Sequence, residues 1–95
     1  MIYAILVVHI QIPNSISLKD KRQVIKSIIE KIKNIFNVSV AEIEKNEVWN
    51  ESVLACAHIS NNKIFSETYL KKVFAYIEKS ALEFIILDYS VFLNN

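Results

Sequence analysis

Ninety-five residues are enough for one hydrophobic core and too few for two. Eleven Lys and Arg stand against ten Asp and Glu, a formal net charge of +1, so no global field draws the chain to nucleic acid or membrane and any basic surface must be local. There is no glycine, which excludes the dinucleotide fingerprint, the P-loop and the nucleophile elbow, because each needs glycine where backbone approaches ligand or turns sharply.

Hydrophobic residues make up 53% of the chain, slightly above the globular norm. That excess predicts apolar surface covered by something other than the domain itself. The single cysteine, Cys56, excludes an internal disulfide and fits a reducing compartment. The opening MIYAILVVHIQIP lacks the basic start of a signal peptide, and its apolar run is too short to span a bilayer. The expectation is a cytoplasmic protein without membrane attachment.

Ile2 to Ile12 is apolar and β-branched and stops at Pro13-Asn14-Ser15, the signature of a strand. Alternation puts Ile2, Ala4, Leu6, Val8 and Ile10 on one side and Tyr3, Ile5, Val7, His9 and Gln11 on the other. Ser17 then reads as a helix N-cap with Asp20 three residues on. Leu18, Ile25, Ile28, Ile29, Ile32, Ile35 and Phe36 recur at helical spacing, and Asn37 is expected to take a left-handed cap in place of glycine. Val38 to Glu44 reads as a second strand, followed by a polar loop from Lys45 to Asn50 that carries Trp49.

Val53 to Ser60 is the third strand. Its small side, Val53, Ala55, Ala57 and Ile59, suits close packing under helices, which turns Leu54, Cys56, His58 and Ser60 the other way. Asn61-Asn62 ends it and caps a helix from about Ile64 to Lys79, marked by Phe65, Leu70, Val73, Phe74 and Ile77. Phe84 to Leu93 is the last strand. The order βαββαβ predicts one α+β domain over residues 1–95, a ferredoxin-like sandwich with a four-stranded antiparallel sheet and two helices on one face. The other face stays open. On this reading Ile5, Val7, Leu54, Cys56 and Ile86 form an apolar patch there, ringed by His9, Gln11, His58, Asp88 and Ser90, the kind of patch that marks an interface.

Ser17-Leu18-Lys19-Asp20-Lys21-Arg22 after Ile12-Pro13, then Phe36-Asn37-Val38-Ser39-Val40-Ala41-Glu42, Trp49 and Ile59-Ser60-Asn61, together resemble the YlxP-like family of small uncharacterised bacterial proteins over essentially the whole chain. The resemblance implies a ferredoxin-like fold, no established enzymatic activity and no catalytic residues to carry over. It also implies the company of translation and ribosome-assembly genes. Asn14 and Ser15 follow the proline where the family commonly has a glycine.

Four groupings bear on chemistry. Lys19, Arg22, Lys26 and Lys33 fall on one flank of the first helix, either a solvated surface or a phosphate-contacting edge for RNA or a ribosome. Lys21 falls within the apolar arc instead, where it snorkels past the sheet end or anchors an anion. His9, Cys56, His58 and Asp88 are sensible zinc ligands by type, but no ligand spacing supports a metal, and nothing suggests an oxyanion hole beside a Cys-His pair. Trp49 is either a lid over one core end or an interface anchor. Base stacking on the open face is disfavoured, since Tyr3 is the one aromatic on that side of the first strand. The resulting expectation is a non-enzymatic protein without cofactor that forms a homodimer or docks a partner through its open face. Two alternatives stand beside it: a ribosome- or RNA-associated factor using the basic flank, and a metal protein or enzyme using His9, Cys56 and His58.

Overall fold

A computed structural model describes residues 1–94. Six elements follow in the order β1 (Ile2–Gln11), α1 (Leu18–Ile35), β2 (Ser39–Glu44), β3 (Glu51–Ser60), α2 (Lys63–Lys79) and β4 (Ile85–Leu93). The strands form one antiparallel sheet in the order β2-β3-β1-β4. Both helices lie on the same face, giving the ferredoxin-like α+β arrangement expected from the sequence.

The helix starts are set by side-chain caps. Ser17 Oγ accepts from the Asp20 amide at 3.1 Å, and Asn62 Oδ1 accepts from the Phe65 amide at 2.9 Å; each satisfies one of the orphan donors of a first turn. Asp20 Oδ2 reaches back to the Ile16 amide at 3.1 Å, a reciprocal bond shifted one residue outward from the usual capping box. The end of α1 differs from expectation. Phe36 is extended at φ −118°, ψ 148°, and Asn37 is not left-handed, because an edge-to-face aromatic cluster with Tyr69 and Tyr76 holds Phe36 down and carries the chain straight into β2. The Asn37 amide donates to Tyr69 Oη at 2.7 Å.

The core lies between the sheet and the helices. Ala4, Leu6, Val8 and Ile10 of β1 meet Ile25 and Ile32 of α1, and Leu70, Val73 and Ile77 of α2. Register fixes what β3 adds. Leu6 pairs with Cys56, Val8 with Leu54 and Ala4 with His58, so these β3 residues share the helix-facing side of β1. The assignment of Leu54, Cys56 and His58 to the open face is therefore reversed, and the small residues Ala55 and Ala57 face outward. The reason is satisfaction of polar groups under the helices. Ser52 Oγ donates to Glu42 at 2.6 Å, and His58 Nδ1 lies 3.0 Å from Ser66 Oγ with its ring stacked 4.3 Å above Tyr69. A buried histidine or serine with such partners costs little, and the bulkier Leu54 fills more core than alanine does.

Ile86 is likewise corrected. It shares parity with Asp88, Ser90 and Phe92, but β4 shifts register opposite His9 and Ile10: His9 pairs with Asp88 and Ile10 with Ile86. The extra residue of the bulge turns Ile86 toward the core, where it packs against the buried cluster.

Lys21 is 1% exposed and ties the layers together. Its Nζ lies 2.7 Å from the Lys45 carbonyl, 3.3 Å from that of Asn46, 3.2 Å from that of Glu51 and 3.0 Å from Glu42 Oε2. One ammonium from the first turn of α1 thus holds the whole β2–β3 connection. Lys45 is the only left-handed residue among those described, at φ 66°, a conformation that costs a side-chain-bearing residue about 1 kcal/mol. The Lys21 bond to its carbonyl and the Val48 amide bond to the same oxygen at 3.0 Å hold it there.

Lys21→Met leaves Glu42 and three carbonyls without their cation. Urea unfolding should show a loss of about 3 kcal/mol, and adding Glu42→Gln should recover part of it. A loss below about 1 kcal/mol in the single variant would mean that the network is not a structural anchor.

Candidate docking face and its surroundings

The open face follows from register as rows of side chains across the sheet. Ile59 stands beside Tyr3. Ser39, Ala57, Ile5 and Phe92 make the next row, then Ala41, Ala55, Val7 and Ser90, then Val53, His9 and Asp88, and last Glu51, Gln11 and Ile85. The floor over β2 and β3 is made of small side chains, Ser39, Ala41, Ala55 and Ala57. A hollow of about 280 Å³ opens there between Asn37, Ser39, Ala57 and Ile59. The large apolar groups of this face are well exposed: Tyr3 45%, Phe92 58% and Ile59, at the hollow, 68%. Ile5 and Val7 form the central ridge.

The opposite end of the face is acidic. His9 Nε2 lies 2.7 Å from Glu51 Oε1, and Asp88 stands directly across from His9 in register. The two carboxylates thus flank one imidazole at the polar end, while the apolar hollow occupies the other.

Of the residues singled out in the sequence, Ile5, Val7, His9, Gln11, Asp88 and Ser90 come together on this face. Leu54, Cys56, His58 and Ile86 do not. The zinc grouping is divided by the sheet itself, with His9 and Asp88 on one side and Cys56 and His58 on the other, and no cluster of three metal-ligating side chains occurs among the described residues. Trp49 lies in the β2–β3 loop, where its carbonyl accepts from Ser15 Oγ at 2.5 Å; the residue is 48% exposed.

Lys19, Arg22, Lys26 and Lys33 are all exposed on α1, and none forms an ion pair among the described residues. Lys21 is separate from them. Its ammonium is committed to Glu42 and the loop carbonyls, so the anion site expected at the start of α1 is already filled by the protein's own oxygens.

Sequence reasoning missed Tyr3, Ala55, Ala57, Ile59 and Phe92 as a single surface. The signal that would have found them is the pairing parity of β1 with β3, which neither strand carries alone.

Cys56 is fully buried, and burial pushes its thiol up from an ordinary 9.0 to about 11. A thiolate in that position is disfavoured, which removes Cys56 as a nucleophile at neutral pH.

A family model described as "Protein of unknown function (DUF503)" matches residues 3–91. The chain is 37% identical over 62 residues, 65% of its own length and 67% of the relative's, to the "Uncharacterized protein YlxP" of Bacillus subtilis (strain 168). Among solved structures it is similar to the "De novo designed protein Foldit4" at a TM-score of 0.53 and 18% identity, over 98% of this chain and 97% of that one. That likeness concerns the fold alone. No helix among the described residues is long and apolar enough to cross a membrane.

Native protein should resist aromatic disulfide reagents at pH 8 and react fully once unfolded. Because the folded thiol pKa is raised, the stability tied to it is complete below pH 9 and is lost as pH climbs from about 9 to about 11, by an amount on the order of 3 kcal/mol. Chemical denaturation at pH 8, 9.5 and 11 should show this decline, and Cys56→Ala should lose less over the same interval. Fast thiol labelling of the folded wild type would overturn the assignment.

Proposed function

We propose that this chain, which belongs to the DUF503 family of proteins of unknown function, is a non-enzymatic docking protein whose open sheet face binds a partner protein through the apolar hollow and the acidic end beside it. The observation that carries this reading is the hollow itself. Ser39 and Ala57 line it with Ile59, which is exposed, and Tyr3 and Phe92 stand exposed farther across the same face. A monomer gains nothing from holding three large apolar groups in water, whereas an interface core gains from aromatic and aliphatic anchors around a recess.

Charge narrows the partner. Laying the face on a second copy of itself head-to-tail sets Glu51 and Asp88 against the apolar end, and laying it head-to-head sets carboxylates against carboxylates. Both arrangements carry a desolvation or repulsion cost. A partner with an apolar element flanked by lysine or arginine meets neither.

The test is isolation of the tagged chain from its own cells, wild type beside Ala55→Glu and Ile59→Asp, with bound proteins quantified against bait. The reading expects one partner near stoichiometry, its basic contact surface mapped by crosslinking to Glu51 or Asp88, and loss of at least about tenfold in both variants. A partner retained by both variants, or crosslinks confined to the helix side, would sink it.

The exposed cations of α1 favour a second reading, an RNA or ribosome contact through Lys19, Arg22, Lys26 and Lys33. None of them is neutralised by an ion pair within the described residues, so each is free to meet a phosphate. Filter binding to ribosomal RNA at 50 and 200 mM salt should show a steep decline in affinity, with a slope that falls by about one for each cation replaced by alanine. Absence of binding at 50 mM salt removes the reading.

A further inference from the structure

We propose that β4 and the groove beside it are a self-association surface, on which a second copy of this chain pairs β4 to β4 about a two-fold axis at Ser90 and joins two sheets into one of eight strands. The docking reading uses the opposite face, so this inference stands without it.

The two edges of the sheet are built differently. β2 is six residues long, carries Glu42 and Glu44, breaks register between them and has α1 packed on it. Those are the usual protections of an exposed edge. β4 is nine residues long, IILDYSVFL, with one charged residue and no proline. Its bulge lies at the N-terminal end, leaving Asp88 to Leu93 regular.

Between Ile86 and Leu93, which pack against the core, the helix side of β4 is only partly covered. α2 packs chiefly over β1 and β3, reaching β4 through the Phe74 ring, 4.2 Å from Tyr89. Between them runs a groove of about 310 Å³ lined by Leu70, Lys71, Phe74, Glu78, Tyr89 and Val91 among others. Tyr89 and Val91 remain 54% and 43% exposed although they share the core-facing side of the sheet.

The backbone shows which groups are free. Asn94 N–H donates to the Tyr3 carbonyl, so by strand alternation the even-numbered amides of β4 face β1 and the odd ones face outward. The Tyr89 amide is instead bonded to its neighbour Asp88 Oδ1 at 2.8 Å, a local stand-in for a strand partner. An axis at Ser90 sets Tyr89 opposite Val91 of the second copy, and each such pair exchanges two main-chain bonds.

Charge selects a second copy as the occupant. α2 runs antiparallel to β4, and Lys71 and Glu78 flank Phe74 and Ala75 at the height of Tyr89 and Val91. The same axis therefore brings Lys71 of each copy opposite Glu78 of the other, an isologous contact in which each charge meets its complement. The two Asp88 side chains fall about 13 Å apart along the strands, beyond the screening length at physiological salt.

Sedimentation of the full chain from about 5 to about 200 μM tests this. Wild type should be dimeric at the upper end. Lys71→Glu and Glu78→Lys, each on an exposed position, should weaken the dimer on the order of tenfold at low salt, and the double swap should restore it to within about threefold. Val91→Pro removes an outward donor without touching the β1–β4 ladder and should leave a folded monomer by circular dichroism. If that variant unfolds, the charge pair alone decides. A wild type monomeric at 200 μM, or a dimer unmoved by both single swaps, overturns the proposal.

Discussion

The Lys21 ammonium is a full charge held almost out of water by one carboxylate and three carbonyls. Taking a charge into a protein costs several kcal/mol unless its donors are met, and here they are met by atoms from three separate segments. Glu42 comes from β2, Lys45 and Asn46 from the turn, and Glu51 from the start of β3. The network can form only when α1 sits at one height over one hairpin in one register. It specifies geometry as much as it stabilises it, and the chain uses it where many proteins would place a glycine. Lys45 takes the left-handed conformation without one, and Ser15 adds a second tie by donating its hydroxyl to the Trp49 carbonyl.

That register decides which face of the sheet is available. A strand slipped by one residue exchanges every side chain between core and solvent. With Glu42 turned inward to meet Lys21 and Ser52, Ala41 and Ser39 are turned outward, and Ala55 and Ala57 follow as their cross-strand partners. The hollow on the open face is thus a consequence of the buried ion pair on the other. A polar group at the core boundary and an apolar surface facing water are two results of one choice of parity.

The order of elements and the two helix caps were legible in the sequence, because caps, periodicity and turn clusters are local signals. Ser17 and Asn62 announce their roles within three residues. The side of β3 was not legible. Alternation gives two sets of residues but not their direction, and judging direction by size favoured the small set under the helices. What reversed it were partners distant in sequence: Glu42 for Ser52, and Ser66 and Tyr69 for His58. Ile86 failed differently, since a bulge leaves no mark in a run as uniform as Phe84 to Leu87. Lys21 was visible as an anomaly on the apolar arc, and the basic flank was visible as a stripe; only the folded hairpin separates the first, consumed internally, from the second, which stays exposed.

The covering of the sheet also explains the excess of apolar residues. Two helices of 17 and 18 residues span roughly two strands each when packed centrally. Here α1 is drawn toward β2 by Lys21, and α2 lies over β1 and β3, where His58 stacks on Tyr69 and bonds Ser66. Both anchors pull the helical layer toward β2 and away from β4. Phe74 is left to reach sideways for Tyr89, and of the two edge strands the one with fewer charges is the one less covered. A shift of the helices to shelter β4 would separate Lys21 from Glu42 or His58 from Tyr69, exchanging satisfied buried polar groups for covered apolar ones. The first loss is the larger, because an orphaned buried charge costs more than a half-exposed valine or tyrosine gains by burial.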